Sequence, residues 1–260
     1  MKVVIFAGGQ GARIAEESVT RPKPLIEIGD QPILWHIMKN YSAQGFNDFV
    51  ICCGYKQEMI KQWFFNYSRN NSDVTLDFSS DTTEIHKTDL EPWRVTLVNT
   101  GSRTLTGGRL AQVKKYLDDE TFMVTYGDAV SNVDFEKLLE HHRKGIEEGN
   151  IATITSVSVG QQFGVLELEG DEVATVRSFR EKSDTDGGLI NAGFMMMEPK
   201  VFEYLDSSMM LEPGLLVPLA DHRLLSAYYH PGFWQPMDSM RDKLILENYW
   251  DSGNVPWKNW

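Results

Sequence analysis

An unbroken apolar run, Val3-Val4-Ile5-Phe6-Ala7, passes directly into glycines at positions 8, 9 and 11. A continuous rather than alternating run predicts a strand covered on both faces, as in a parallel sheet flanked by helices. Glycines at its end let the backbone turn sharply and let its N–H groups approach an anion closely. Arg13 sits in that turn, and ten residues later Lys23 stands between Pro22 and Pro24. A rigidly presented Lys beside an Arg adds a point charge and a fork of donors, the pairing that suits a polyphosphate.

The rest of the chain repeats the theme. Pro32–Ala43 has a helical pattern with Pro at its start and Gly45 past its end, and Phe49–Cys53 is a second strand. Lys56–Tyr67 is helical, Val74–Phe78 and Val95–Val98 are strand candidates, and Gly108–Leu117 is helical again. Phe122–Tyr126 is a strand and Asp134–Lys144 a helix before the Gly145–Gly149 break. This β-α-β-α order predicts an α/β fold with a mostly parallel, Rossmann-like sheet in three layers. After residue 150, Ile151–Val159, Gly164–Leu168, Val173–Phe179 and Leu189–Met197 are strand-like with few helices between them. They read as a smaller mixed β addition to the same core, and Ser239–Trp250 as a terminal helix. The expectation is one domain over 1–260, with a core in 1–150 and the smaller addition in 151–260.

A formal charge of −12 argues against a nucleic-acid binder, which would present a basic face. A polyanionic ligand must then be held by a local basic cluster helped by a metal ion. Cys52 and Cys53 are adjacent in a strand, point to opposite faces and read as buried structural residues. Val3–Ala7 is too short for a signal peptide, and no segment reaches the roughly 20 apolar residues of a membrane span. A cytoplasmic protein with no membrane partner is expected.

Each motif has a plainer alternative. The glycine turn lacks the third glycine of a dinucleotide fingerprint, where Ile14 stands, and lacks the G-K-[ST] of a P-loop. It could be a simple tight turn. Asp128 follows Tyr126-Gly127 at the end of an apolar strand, where open α/β sheets face their ligands. It suits a hard cation such as Mg2+, with Asp238 as a second carboxylate, although Asp238 could instead cap the terminal helix. Lys182 and Glu181 could meet a phosphate and polyol hydroxyls, or form a solvated charge run. Asn191-Ala192-Gly193 could recognise hydroxyls or be a β-bulge. The N–H groups at Thr106-Gly107-Gly108-Arg109 could open a helix toward an anion. His141 and His142 read as solvated on a charged helix face, while His36 and Met195–Met197 read as core.

Together these residues resemble the sugar-1-phosphate nucleotidyltransferase family, whose G-G-x-G-T-R…P-K-P pattern appears as Gly8-Gly9-Gln10-Gly11-Ala12-Arg13…Pro22-Lys23-Pro24. Within that family the chain is most similar to the bacterial glucose-1-phosphate cytidylyltransferases. The similarity runs through Pro32–Met38, Ile51–Lys56, Glu91–Trp93, Thr106–Leu110 and His230–Asp238. It implies a nucleotidyltransferase fold and transfer from CTP to α-D-glucose 1-phosphate, giving CDP-glucose and pyrophosphate with Mg2+ by direct in-line attack. Arg13, Lys23 and Lys182 are the implied catalytic cations, and Asp128 and Asp238 the metal ligands. Ala7, Gly8, Gly9, Gly11, Ala12, Gly54, Tyr55, Gly107 and Arg109 complete the implied nucleotide site. Tyr126, Glu181, Asn191 and Trp234 would join Lys182 around the acceptor. A homo-oligomer is also implied. Ala12, Ala129, Ser183 and Ala192 depart from the family pattern, two of them where the acceptor should sit. The alternatives are another phosphorylated acceptor, not necessarily a sugar, or a non-catalytic nucleotide-binding subunit.

Overall fold

The computed structural model describes residues 1–9, 20–88, 90–158 and 188–260, together with the backbone of two strands in between. Its strands are β1 (Val3–Ala7), β2 (Glu27–Ile28), β3 (Gln31–Pro32), β4 (Asp48–Cys53), β5 (Ser72–Asp77), β6 (Thr82–Thr88), β7 (Arg94–Asn99) and β8 (Phe122–Tyr126). They continue as β9 (Ala129–Ser131), β10 (Ala152–Ser158), β11 (Val165–Glu169), β12 (Thr175–Arg180), β13 (Leu189–Met197), β14 (Leu225–Tyr229) and β15 (Trp234–Pro236). The longer helices are α1 (Ile33–Ala43), α2 (Gln57–Asn70), α3 (Thr106–Val113), α4 (Phe135–Glu147) and α5 (Met240–Asp251).

A seven-stranded sheet in the order β14-β10-β13-β8-β1-β4-β7 forms the centre. All its neighbours are parallel except β13, which runs antiparallel to both β8 and β10. The fold is mixed α/β and Rossmann-like. Side-chain alternation divides the core in two. Val3, Ile5 and Ala7 pack with Phe49, Ile51 and Cys53 beneath α1 and α4, while Val4 and Phe6 pack with Val50 and Cys52 beneath α3. The two cysteines thus lie on opposite faces, both buried and free. Met195, Met196 and Met197 on β13 alternate between the same two cores, and His36 is fully buried.

The strands β10, β13 and β14 extend the sheet beyond β8, as the apolar runs after residue 150 suggest, whereas β11 and β12 pair with each other among the described residues. Two expectations need correction. Val74–Phe78 contributes a strand, but β5 pairs only with β6 in an outlying hairpin whose Val74, Leu76, Phe78 and Ile85 are exposed. His142 is not solvated: Phe135, Leu138, His142 and Gly145 recur at helical spacing on the buried face of α4, which continues to Glu147. Its ring nitrogens meet Thr153 Oγ1 at 2.8 Å and Glu198 Oε1 at 3.2 Å, and burial lowers its pKa. No helix among the described residues is long and apolar enough to cross a membrane.

Candidate active site

Pro22 and Pro24 flank Lys23, which begins a single 3-10 turn, Lys23–Leu25, closed by Leu25 N–H to the Pro22 carbonyl at 2.8 Å. Leu25 and Ile26 anchor this turn in the core, so Lys23 leaves a stiff backbone and is itself 8% exposed. Its Nζ donates to Asp128 Oδ2 at 2.8 Å and to Asp238 Oδ1 at 2.6 Å. The two carboxylates are 110 residues apart in sequence, and local pairing explains why they meet. Directly after Asp128, β9 pairs antiparallel with β15, Ala129 opposite Pro236. Met237 N–H then donates to the Asp128 carbonyl at 2.8 Å, which brings Asp238 alongside. The helix cap falls to Ser239, whose hydroxyl and Asp242 form a capping box, so the capping alternative for Asp238 is corrected.

This cluster lies on one side of a cavity of about 480 Å³ at the C-terminal ends of β1 and β8. Phe6, Ala7, Gly8 and Gly9 line it from β1, and Tyr126, Gly127 and Asp128 from β8. That is the end of an open α/β sheet where ligand crevices form. Among the described residues one ammonium bridges two carboxylates, and the carboxylate oxygens are ligands of the kind a hard cation takes.

On the opposite side, Arg109 ties together the ends of β1, β4 and β7, its Nη1 reaching the Cys53 carbonyl of β4 at 3.4 Å. Its Nη1 donates to Thr100 Oγ1 at 2.6 Å and to the Gly101 carbonyl at 2.9 Å, and its Nη2 to the Gly8 carbonyl at 2.9 Å. It is 3% exposed, and burial lowers its pKa. The guanidinium lies so close to the backbone that a Cβ on Gly8 or Gly54 would stand 2.1 or 2.4 Å from its Nη1. A side chain at either position would have to displace the guanidinium, and one at Gly54 would also stand 2.7 Å from the Gly8 carbonyl. Tyr55 N–H completes the turn by donating to the Gly8 carbonyl at 3.1 Å. The helix opening at Thr106 forms, but the anion reading of Gly107 is corrected, because its N–H donates to the Met209 carbonyl at 3.1 Å.

Asn191-Ala192-Gly193 is a bulge in β13. Between Ile154 and Ser156 the register advances two residues on β10 and four on β13, from Met195 to Asn191. Gly193 takes φ +83°, and its N–H donates to Asn191 Oδ1 at 2.9 Å. The Trp234 indole N–H donates to the Ala192 carbonyl at 2.9 Å, and the Tyr126 ring packs over Gly193. Tyr126, Asn191 and Trp234 are thus brought to one corner. Ala129 and Ala192 are buried, so their methyl groups fill the protein interior.

Gly11, Ala12, Arg13, Glu181, Lys182 and Ser183 lie outside the described residues. Sequence reasoning missed Thr104, Leu105 and Met210 on the cavity wall, and Glu212, which accepts the Tyr126 hydroxyl. Thr104 and Leu105 adjoin the Thr106-Gly107-Gly108 motif and could have been found from it. Met210 and Glu212 carry no local signal, because only the tertiary fold brings them to Tyr126. Neither cysteine offers a nucleophile: burial raises both thiol pKa values, that of Cys53 to about 11.

A nucleotidyl transferase family model matches residues 2–214. The chain belongs to that family. This nucleotidyl transferase is 47% identical to a glucose-1-phosphate cytidylyltransferase of Salmonella typhi over 100% of both chains. It is 41% identical, again over 100% of both, to a probable glucose-1-phosphate cytidylyltransferase of Bacillus subtilis. Its fold resembles HddC from Yersinia pseudotuberculosis, with TM-score 0.65 and 20% identity over 96% of this chain and 99% of that one. A UDP-glucose pyrophosphorylase solved with UDP-glucose gives TM-score 0.67 at 16% identity, covering 97% of this chain and 98% of that one.

Proposed function

We propose that this nucleotidyl transferase is a Mg2+-dependent cytidylyltransferase that converts CTP and α-D-glucose 1-phosphate to CDP-glucose and pyrophosphate. The observation that carries this reading is the Lys23–Asp128–Asp238 cluster at the strand ends of a cavity able to hold a nucleotide. End-to-end similarity to glucose-1-phosphate cytidylyltransferases supports the choice of base and acceptor.

A phosphate oxygen of the sugar phosphate attacks the α-phosphorus as the bond to the pyrophosphate oxygen breaks. Such a reaction depends on positioning and charge neutralisation rather than on a protein nucleophile. Lys23, held between its two flanking prolines, directs an ammonium at the reacting phosphates. Asp128 and Asp238 fit a divalent ion, since they already converge on one cationic nitrogen. Among the described residues no larger group of His, Cys, Asp or Glu gathers, and Mg2+ needs only one or two carboxylates beside water and phosphate oxygens. When bound, the ion supplies charge neutralisation of the triphosphate.

Arg13 is proposed to hold the β- and γ-phosphates, and Lys182 the sugar phosphate. Glu181, Asn191, Tyr126 and Trp234 form the acceptor side. Gly8 and Gly9 leave room for the nucleotide, with Gly54, Tyr55 and Arg109 behind them supporting the turn. Assembly as a homo-oligomer in the cytoplasm belongs to the same proposal.

The test is to follow pyrophosphate release from CTP, UTP and dTTP with Mg2+ and a panel of phosphorylated acceptors. Turnover is expected with CTP and glucose 1-phosphate. Activity confined to another acceptor would replace glucose 1-phosphate, and CTP binding without turnover on any acceptor would leave a regulatory subunit.

A further inference from the structure

Glu212 begins a short π-helical turn, Glu212–Leu216, an element that recurs at functional sites. One of its oxygens, Oε1, accepts the hydroxyl of Tyr126. The other, Oε2, is buried with no hydrogen-bond partner among the described residues. A buried, half-satisfied carboxylate is a net cost to folding, which an apolar residue of similar size would avoid.

The surrounding segment does not depend on that bond. Asp206 N–H donates to the Gly214 carbonyl at 2.8 Å, and Gly214 N–H to the Met210 carbonyl at 2.9 Å. Leu211 N–H meets Thr106 Oγ1 at 2.7 Å. The loop is therefore tied to α3 on its own account, and the Glu212–Tyr126 contact is additional. Tyr126 lines the cavity beside Asp128, with its ring against Gly193 and Phe6. A phenol has one proton, and here that proton is committed to Glu212.

We propose that Glu212 is a positioning residue for the phosphorylated acceptor: by taking the only proton of Tyr126, it leaves Tyr126 Oη as a pure hydrogen-bond acceptor for a hydroxyl of that substrate. The site then selects a polyol phosphate with a donor at this point and discriminates against the deoxy or O-methyl analogue. This inference rests on the reading of the cavity as a transferase site.

The experiment measures pyrophosphate release for the wild type, Glu212→Ala, Glu212→Gln, Tyr126→Phe and the Glu212→Ala/Tyr126→Phe double variant. Each is assayed with glucose 1-phosphate and its monodeoxy analogues, and KM for CTP is determined separately. Glu212→Ala and Tyr126→Phe should each lower kcat/KM for the acceptor about tenfold by raising its KM, with KM for CTP within twofold. The double variant should be no worse than either single one, and the preference over one deoxy analogue should vanish in all three. Glu212→Gln, whose amide oxygen still accepts from Tyr126, should restore most of the activity. The idea is overturned if Tyr126→Phe leaves acceptor KM and deoxy discrimination intact, a result readable even if Glu212→Ala fails to fold. Multiplying effects, or equal increases in both KM values, would also overturn it. Absence of turnover by the wild type on every acceptor would instead defeat the functional reading itself.

Discussion

Lys23 and His36 stand thirteen residues apart, and both are buried, yet the regions around them use polarity in opposite ways. Lys23 bridges two carboxylates at the edge of an open cavity, so its polar groups front the space a ligand would enter. His36 lies in a closed cluster with Trp35, Trp250, Trp257 and Trp260, where its Nε2 meets the Ile28 carbonyl at 2.9 Å and its Nδ1 the Trp257 indole nitrogen at 3.4 Å. The Ile28 carbonyl can only accept and the Trp257 indole N–H can only donate, so Nε2 carries the proton and Nδ1 is the acceptor. Polarity that opens onto a cavity marks a candidate ligand site. Balanced polarity marks structure. Substitutions in the first region should therefore affect turnover without stability, and substitutions in the second the reverse.

The largest expected effect is at Asp128. Asp128→Asn keeps the shape but removes one of the two charges, and should lower turnover about 1000-fold, or ~4 kcal/mol of barrier. Its melting temperature should stay near that of the wild type, as read by calorimetry beside the pyrophosphate assay. A variant that melts early but retains turnover would erase the distinction between the regions.

Next is Trp257→Ala. Trp257 is fully buried, stacks on Phe233 with ring centroids 5.7 Å apart, and donates to His36 Nδ1. Removing it should cost about 3 kcal/mol of unfolding free energy in urea. Turnover per folded molecule should be unchanged, and loss of turnover in proportion to folded protein would still agree with the contrast.

Gly54→Ala probes the boundary between the two kinds of region. Its new methyl group would meet Arg109 Nη1 at 2.4 Å and the Gly8 carbonyl at 2.7 Å, so the clamp behind the glycine turn must shift. The expected stability loss is about 1–3 kcal/mol, accompanied by a higher KM for CTP. An effect on stability alone would place Arg109 wholly with the structural region.

These contrasts also mark what the sequence made legible. The central strands could be read because β1, β4 and β8 are short apolar runs bounded by turn residues. Lys23, Asp128 and Asp238 were legible as types in context, but their meeting depends on the β9–β15 pairing, for which three-residue strands leave no pattern. Arg109 was placed at the cavity from its motif, but its bonds to the Thr100 hydroxyl and the Gly101 and Gly8 carbonyls were not legible, because a buried guanidinium held by backbone carbonyls has no mark of its own in sequence. Glu212 was invisible, since its partner lies 86 residues away and nothing local distinguishes it. His142 was readable and missed: its spacing from Phe135 and Leu138 already placed it on the inner face of α4.

The smallest effect tests the closed region by pH. Burial lowers the pKa of His36 from 6.5 to about 4; the backbone carbonyls of Ile28 and Gln31 oppose this, and Lys258 adds to it. Above pH 7 the ring is neutral in both folded and unfolded chains and contributes no pH dependence. Below 6.5 the unfolded chain binds a proton that the folded one refuses, so stability falls as the pH drops and levels off only below about 4. The slope approaches 1.4 kcal/mol per pH unit, a loss of about 2 kcal/mol by pH 5. Glutamine can donate to Ile28 and accept from Trp257 without titrating, so His36→Gln should flatten the profile by one proton's worth. His142 and His230 are also held low by burial, and they leave a residual slope in both proteins. Urea midpoints at pH 7.5 and 5.0 for the two proteins isolate the difference. Parallel profiles would mean that the Trp257 indole yields to a protonated ring, and that this region is less closed than its hydrogen bonds imply.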